Sequence, residues 1–117
     1  MDGSREEALF SVFEHDPEMG EIVALFVEEM PDRIGELQSA LDSMDLEAVQ
    51  TFAHQLKGAA GGYGFEQLGE IAAATERTLR SLGSNLARID HGALVAAVTP
   101  LLSACHRVRL SIPHAAA

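Results

Sequence analysis

From Met19 to Leu41 apolar residues recur every three or four positions, through Ile22, Val23, Phe26, Met30, Ile34 and Leu37. That period draws one stripe down an α-helix and would scatter the same residues over both faces of a strand. Three more stripes follow: Leu46, Val49, Ala53, Leu56, Ala60; then Leu68, Ile71, Ala72, Thr75, Leu79, Leu82; then Leu94, Val98, Leu101, Cys105, Val108. No segment shows the period-2 alternation of a half-buried strand. The chain has 117 residues, 47% of them apolar, and no Trp, which allows one domain with an aliphatic, Ala-rich core and leaves too little for two. The expectation is an all-α fold: an antiparallel four-helix bundle with an extra N-terminal helix. Residues 1–117 then form a single domain, with a core over about 16–110 and a frayed tail over 111–117.

Punctuation sets the boundaries. Ser4 and Glu7 have capping-box spacing ahead of Leu9, Phe10 and Phe13, which predicts a first helix over about Arg5–His15. Asp16-Pro17 reads as N-cap and first residue of the second helix, and Pro31 should kink or divide that helix. Asp45 caps a third, from about Leu46 to Gly61, and Gly64 is a good left-handed terminator for it. The fourth runs over about Glu66–Leu82. Asp90 caps the fifth, whose Pro100 again implies a kink or break. His106, Arg107 and Arg109 suit its C-terminus, where the helix dipole favours cations.

Charge and cysteine narrow the function. The formal net charge is −10. A nucleic-acid binder needs a basic surface, so that class is excluded. Residues 1–47 hold 14 acidic and 2 basic side chains, a net of −12, whereas residues 48–117 hold 4 and 6, a net of +2. The plain reading is a solvated acidic face. The sharper one is that the second half is kept poor in carboxylates so that an acidic partner can dock there. Cys105 has no partner for an internal disulfide, which fits a reducing compartment. The polar, acidic N-terminus is no signal peptide, and no apolar run approaches the roughly 20 residues of a membrane span. A cytoplasmic protein with no membrane partner is expected, as a monomer.

One histidine stands apart. On a helical wheel of the third helix, His54 lies about 130° from the centre of the buried stripe and so points outward. Lys57, Gly58 and Gly61 follow on the same side, and Gln50 lies one turn before. Each interior glycine costs roughly 1 kcal/mol relative to alanine. Close helix packing would explain them if they faced inward, but they face outward, which suggests bare backbone kept clear for a partner. A neutral imidazole nitrogen is a competent nucleophile near neutral pH, and a lysine can offset the charge of a phosphoryl group placed on it. Phosphoryl transfer asks little beyond positioning and charge stabilisation. His54 is therefore a candidate phosphoryl acceptor, with Lys57 as its charge partner. No second acid, base or metal ligand is legible beside it.

The run His54-Gln55-Leu56-Lys57-Gly58-Ala59-Ala60-Gly61-Gly62-Tyr63-Gly64 resembles the signature of histidine-containing phosphotransfer (HPt) domains. That signature is His, any residue, Leu, Lys, Gly, then small residues and a second glycine where Gly64 stands. Ala53 before the histidine is usual, and Phe26-Val27-Glu28-Glu29-Met30-Pro31 is similar to the family's preceding helix. The likeness covers roughly Glu18 to Leu82. It implies a four-helix bundle whose histidine takes a phosphoryl group at Nε2 from an aspartyl phosphate on a receiver domain and passes it to another receiver's aspartate. It implies a stoichiometric phosphocarrier, not an enzyme, with no nucleotide site or cofactor of its own. Magnesium would be supplied by the receiver. The implied partners are receiver (response regulator) domains and a hybrid histidine kinase. Gln50, Gly58, Gly61 and Gly64 are the candidate docking residues, Gly64 serving there or as the helix end.

Other constellations are weaker. Glu76 and Arg80 lie one turn apart, off the buried stripe of their helix, and read first as an exposed pair worth a few tenths of a kcal/mol. Alternatively they help frame the His54 imidazole from the neighbouring helix, at the partner-facing surface. Tyr63 and Phe65 could be core or partner contacts. His15, His91, His106 and His114 form neither Glu-x-x-His nor His-x-x-x-His, so no metal site is expected. The alternatives to a free-standing carrier are an HPt domain excised from a chemotaxis-type or hybrid kinase, and a scaffold that binds receivers without being phosphorylated. Intact His54 and Lys57 speak against the scaffold.

Overall fold

The computed structural model describes residues 7–83 and 90–111, and all of its helices fall where the stripes are. Helix α1 spans Gly20–Asp42, α2 Leu46–Gly62, α3 Glu66–Gly83 and α4 His91–His106. Turns of three residues separate α1 from α2 and α2 from α3, which reverses the chain each time. Each helix packs on two neighbours, in the cyclic order α1, α2, α3, α4, and the α2–α3 pair is the most extensive. The stripes meet in one core. Phe26 and Phe65 are its large aromatic members, among Leu37, Leu56, Leu68, Leu79, Leu94 and Leu101, all at most 2% exposed. Burying side chains of this size contributes about 1.5–3 kcal/mol each.

The caps at Asp45 and Asp90 form as expected: their carboxylates accept from the backbone N–H of Ala48 at 3.0 Å and of Ala93 at 2.7 Å. Asp16 accepts from Glu18 and Met19, but it caps a turn, and α1 begins only at Gly20. Neither Pro31 nor Pro100 divides its helix. A proline removes one backbone donor, while Met30 and Ile34, or Val98 and Leu101, pack on the core on both sides of the break in the ladder.

The expected N-terminal helix is not present among the described residues. From residue 7 to residue 19 the chain forms an extended strap and turns. The backbone N–H of Leu9 donates to Arg107 O at 2.7 Å and its carbonyl accepts from Arg109 N at 3.0 Å. Val12 N donates to Gly64 O at 3.0 Å, and the Ser11 hydroxyl donates to Tyr63 O. Leu9 and Ser11 point inward while Phe10 and Val12 stay exposed, the alternation of extended chain. Pairing with the segment after α4 and with the α2–α3 turn thus satisfies backbone groups that a helix would have satisfied internally. Ser4, half of the capping box, lies outside the described residues. Ser111 is not frayed: its backbone N–H and hydroxyl both bond the Glu14 carboxylate, at 2.8–3.0 Å. Residues 112–117 lie outside the described residues.

Candidate functional site

Helix α2 holds His54 midway along its outer side. The helix starts on the Asp45 cap and stops at Gly64, whose φ of +85° is left-handed. Ala53 and Leu56, on either side of the histidine, are buried at 1% and 2%, which locks the helix's rotation. The His54 side chain, 66% exposed, therefore projects into solvent on the face opposite the core.

The imidazole is not alone. Glu76 on α3 brings Oε2 to 2.8 Å from His54 Nδ1. Its other oxygen, Oε1, lies 2.8 Å from Lys57 Nζ, and Arg80 Nη2 lies 3.3 Å from Oε2. One carboxylate thus ties three side chains from two helices. It is itself only 12% exposed, so Glu76 and Arg80 are not the simple surface pair that their spacing suggests. The Lys57 ammonium and the His54 ring hold the Glu76 carboxyl below the ordinary carboxylate range, so it is ionised near neutral pH. An ionised carboxylate can only accept hydrogen bonds. The proton between the two groups therefore belongs to Nδ1, and Nε2 carries the free lone pair in the neutral ring. Among the described residues, none bonds Nε2.

The surface around the ring is uneven. Toward the end of α2, Gly58, Gly61 and Gly62 are exposed, and a Cβ built on any of them meets nothing within 4 Å. Internal packing does not require these glycines. Gly64 differs: it is buried, and a Cβ there would lie 2.7 Å from Ser11 Oγ and 2.8 Å from Phe13 Cδ2. It is the helix end under the strap and not part of the open surface. Toward the start of α2, a shallow pocket of about 350 Å³ lies beside the ring, lined by Gln50, Thr51, His54, Gln55, Glu76 and Arg80. Gln50 is half-buried there and spends an amide hydrogen on Leu79 O at 3.3 Å, so it clips α2 to α3. Tyr63 and Phe65 both pack on the Phe26 ring, with centroids 5.3 and 5.4 Å away, and Phe65 is fully core.

The sequence pattern brought His54, Lys57, Gly58 and Gly61 to one side of one helix, and the structure keeps them there. Of the two readings of Glu76 and Arg80, the structure favours the one in which they frame the imidazole from the next helix; spacing alone could not choose it, because Glu76 lies 22 residues away from His54. The only signal was its position off the buried stripe of α3.

The site is thus the outward histidine of a helical bundle, outside the core and beside bare backbone. The family comparison agrees. The Hpt domain model matches residues 21–107, most of the chain, and the chain belongs to the Hpt domain family. That match runs through α4, beyond the stretch where the sequence signature is most legible. Hpt domains are histidine phosphotransfer modules of phosphorelays; they carry phosphoryl groups and interact with receiver domains. Neither the search of curated proteins nor that of solved structures returned a match. Among the described residues no helix is long and apolar enough to cross a membrane.

Proposed function

We propose that this domain is a phosphocarrier in which His54 Nε2 takes a phosphoryl group from an aspartyl phosphate on one receiver domain and yields it to the aspartate of another. The observation that carries this reading is the orientation of the ring: Nδ1 is held by Glu76 at 2.8 Å, which leaves Nε2 unshared and facing out. In the accepting step the Nε2 lone pair attacks phosphorus, the P–O bond to the receiver aspartate breaks, and its electron pair returns to that carboxylate. Magnesium, held by the receiver, would screen the phosphoryl oxygens. Lys57 stands on the same side of α2 as the ring and supplies a point charge for the new dianion. Gly58 and Gly61 leave the approach open to the receiver's carboxylate-lined site, and Arg80 borders the same approach from α3. The low density of carboxylates after residue 47 supports docking of an acidic partner on this face.

The test is transfer from a phosphorylated receiver to the wild-type domain and to His54→Gln. Acid-labile, base-stable label should appear on the wild type and be absent from the variant. Label that persists in His54→Gln would place the acceptor elsewhere.

A further inference from the structure

We infer that the strap and the start of α1 form a second docking surface, separate from the His54 face, and that it fits a cationic amphipathic helix of a partner protein. The inference goes beyond the transfer chemistry and does not depend on it.

The surface is a patch of large apolar side chains left in solvent. Of the exposed large hydrophobic residues, Phe10, Val12, Phe13, Ile22 and Leu25 fall within one short stretch, each 36–65% exposed. Scattered singly, such residues would need no explanation, but these adjoin. Val12 Cγ2 and Phe13 Cδ2 lie 3.1 and 2.8 Å from where a Cβ on Gly64 would stand. Tyr63, the residue before it, borders a shallow hollow of about 50 Å³ together with Ile22, Leu25 and Phe26. The patch therefore runs from the strap, across the end of α2, onto the first turns of α1.

Its surroundings carry one sign of charge. Residues 7–32 hold eight carboxylates and no lysine or arginine. Asp16, Glu18, Glu21, Glu28 and Asp32 are exposed, and Glu29 lines the hollow itself. The first cation after this stretch, Arg33, also borders the hollow and is already engaged. Its guanidinium pairs with Glu29 at 3.5 Å and lies over the Phe26 ring, 5.2 Å from the centroid.

An apolar centre within an acidic rim selects its occupant by charge. The rim repels an anionic membrane surface. A second copy would bring the same carboxylates against themselves. A receiver's carboxylate-lined site is repelled as well, and is matched instead by the carboxylate-poor half that carries His54. The complementary surface is a protein segment with aliphatic side chains along one side and Lys or Arg beside them, the pattern of a basic amphipathic helix. One aliphatic side chain would seat in the hollow between Tyr63 and Leu25, and the flanking cations would meet Glu21 and Glu29. Because the two surfaces prefer opposite charges, their partners do not compete for one face.

The test uses a fluorescent helical peptide of about 18 residues, with Leu at every third or fourth position and Lys elsewhere, and a matched peptide with Glu in place of Lys. The Lys peptide should bind the wild-type domain, more weakly as salt is raised, and the Glu peptide should not. Amide shift changes on binding should centre on residues 10–25 and Tyr63. Val12→Ser combined with Leu25→Ser changes two exposed positions and no charge, and should weaken binding by roughly tenfold or more. Glu18→Gln combined with Glu21→Gln should weaken it too and flatten the salt dependence. Both variants should take a phosphoryl group from a receiver at the wild-type rate. Equal binding of the Lys peptide to wild type and to the Ser variant would show charge attraction without a site, and overturns the inference. So do shift changes centred on His54, or slowed uptake by the Ser variant, which would assign the patch to the receiver's footprint. A wild-type dimer that the Ser substitutions dissolve would assign it to self-association and overturns the inference equally.

Discussion

Gly58 and His54 share the outer side of α2, and an added Cβ at position 58 would touch nothing. Glycine there costs helix stability without serving the fold, so size at this position should separate folding from transfer. Gly58→Ala should raise stability by about 1 kcal/mol, read as a higher denaturant midpoint. Gly58→Leu should fold as well and yet slow uptake from a phosphorylated receiver. Full-rate transfer by Gly58→Leu would remove the reason given for the bare backbone. At this scale the wheel was a sound guide to His54, Lys57, Gly58 and Gly61, because residues on one helix keep a fixed angular relation. It was silent about Glu76, because angles on α2 say nothing about which residue of α3 faces them.

The α2–α3 turn is the element where local and non-local demands coincide. Gly64 ends α2 at φ +85°, and the strap crosses it so closely that a Cβ would lie within 3 Å of Ser11 and Phe13. Gly64→Ala should therefore cost about 1–2 kcal/mol for the left-handed backbone alone, and more for the displaced strap. The check is a chemical-denaturation curve, and an unchanged midpoint would contradict this account. The four helices were legible because each stripe spans several turns, and because the starts of α2 and α4 and the end of α2 carry their own residues, Asp45, Asp90 and Gly64. The strap was not. Its alternation covers only Leu9 to Val12, too short to outweigh an apparent capping box and the apolar Leu9, Phe10 and Phe13. What makes those residues extended is the edge of Arg107–Arg109 and the Gly64 carbonyl, which lie far away in sequence.

The whole molecule is a single core closed on four sides, and Cys105 reports on it. The thiol is 1% exposed, and burial pushes its pKa up to about 12 even with Arg33 near it. The reactive form is the thiolate. Cys105 should therefore resist a thiol reagent in native buffer and react fully in denaturant, at a native-state rate set by opening of the bundle. Stoichiometric labelling of the native protein within minutes would show that the α1–α4 side of the core is open. By itself the sequence determined the helix count of the bundle, the stripe each helix buries and the exposure of His54, because these follow from periods and caps within single segments. Only the tertiary structure decided that the N-terminus is a strap, that Gly64 is covered, and that one carboxylate of α3 orients the histidine of α2. Those features depend on groups that meet across the bundle, and no local spacing encodes such a meeting.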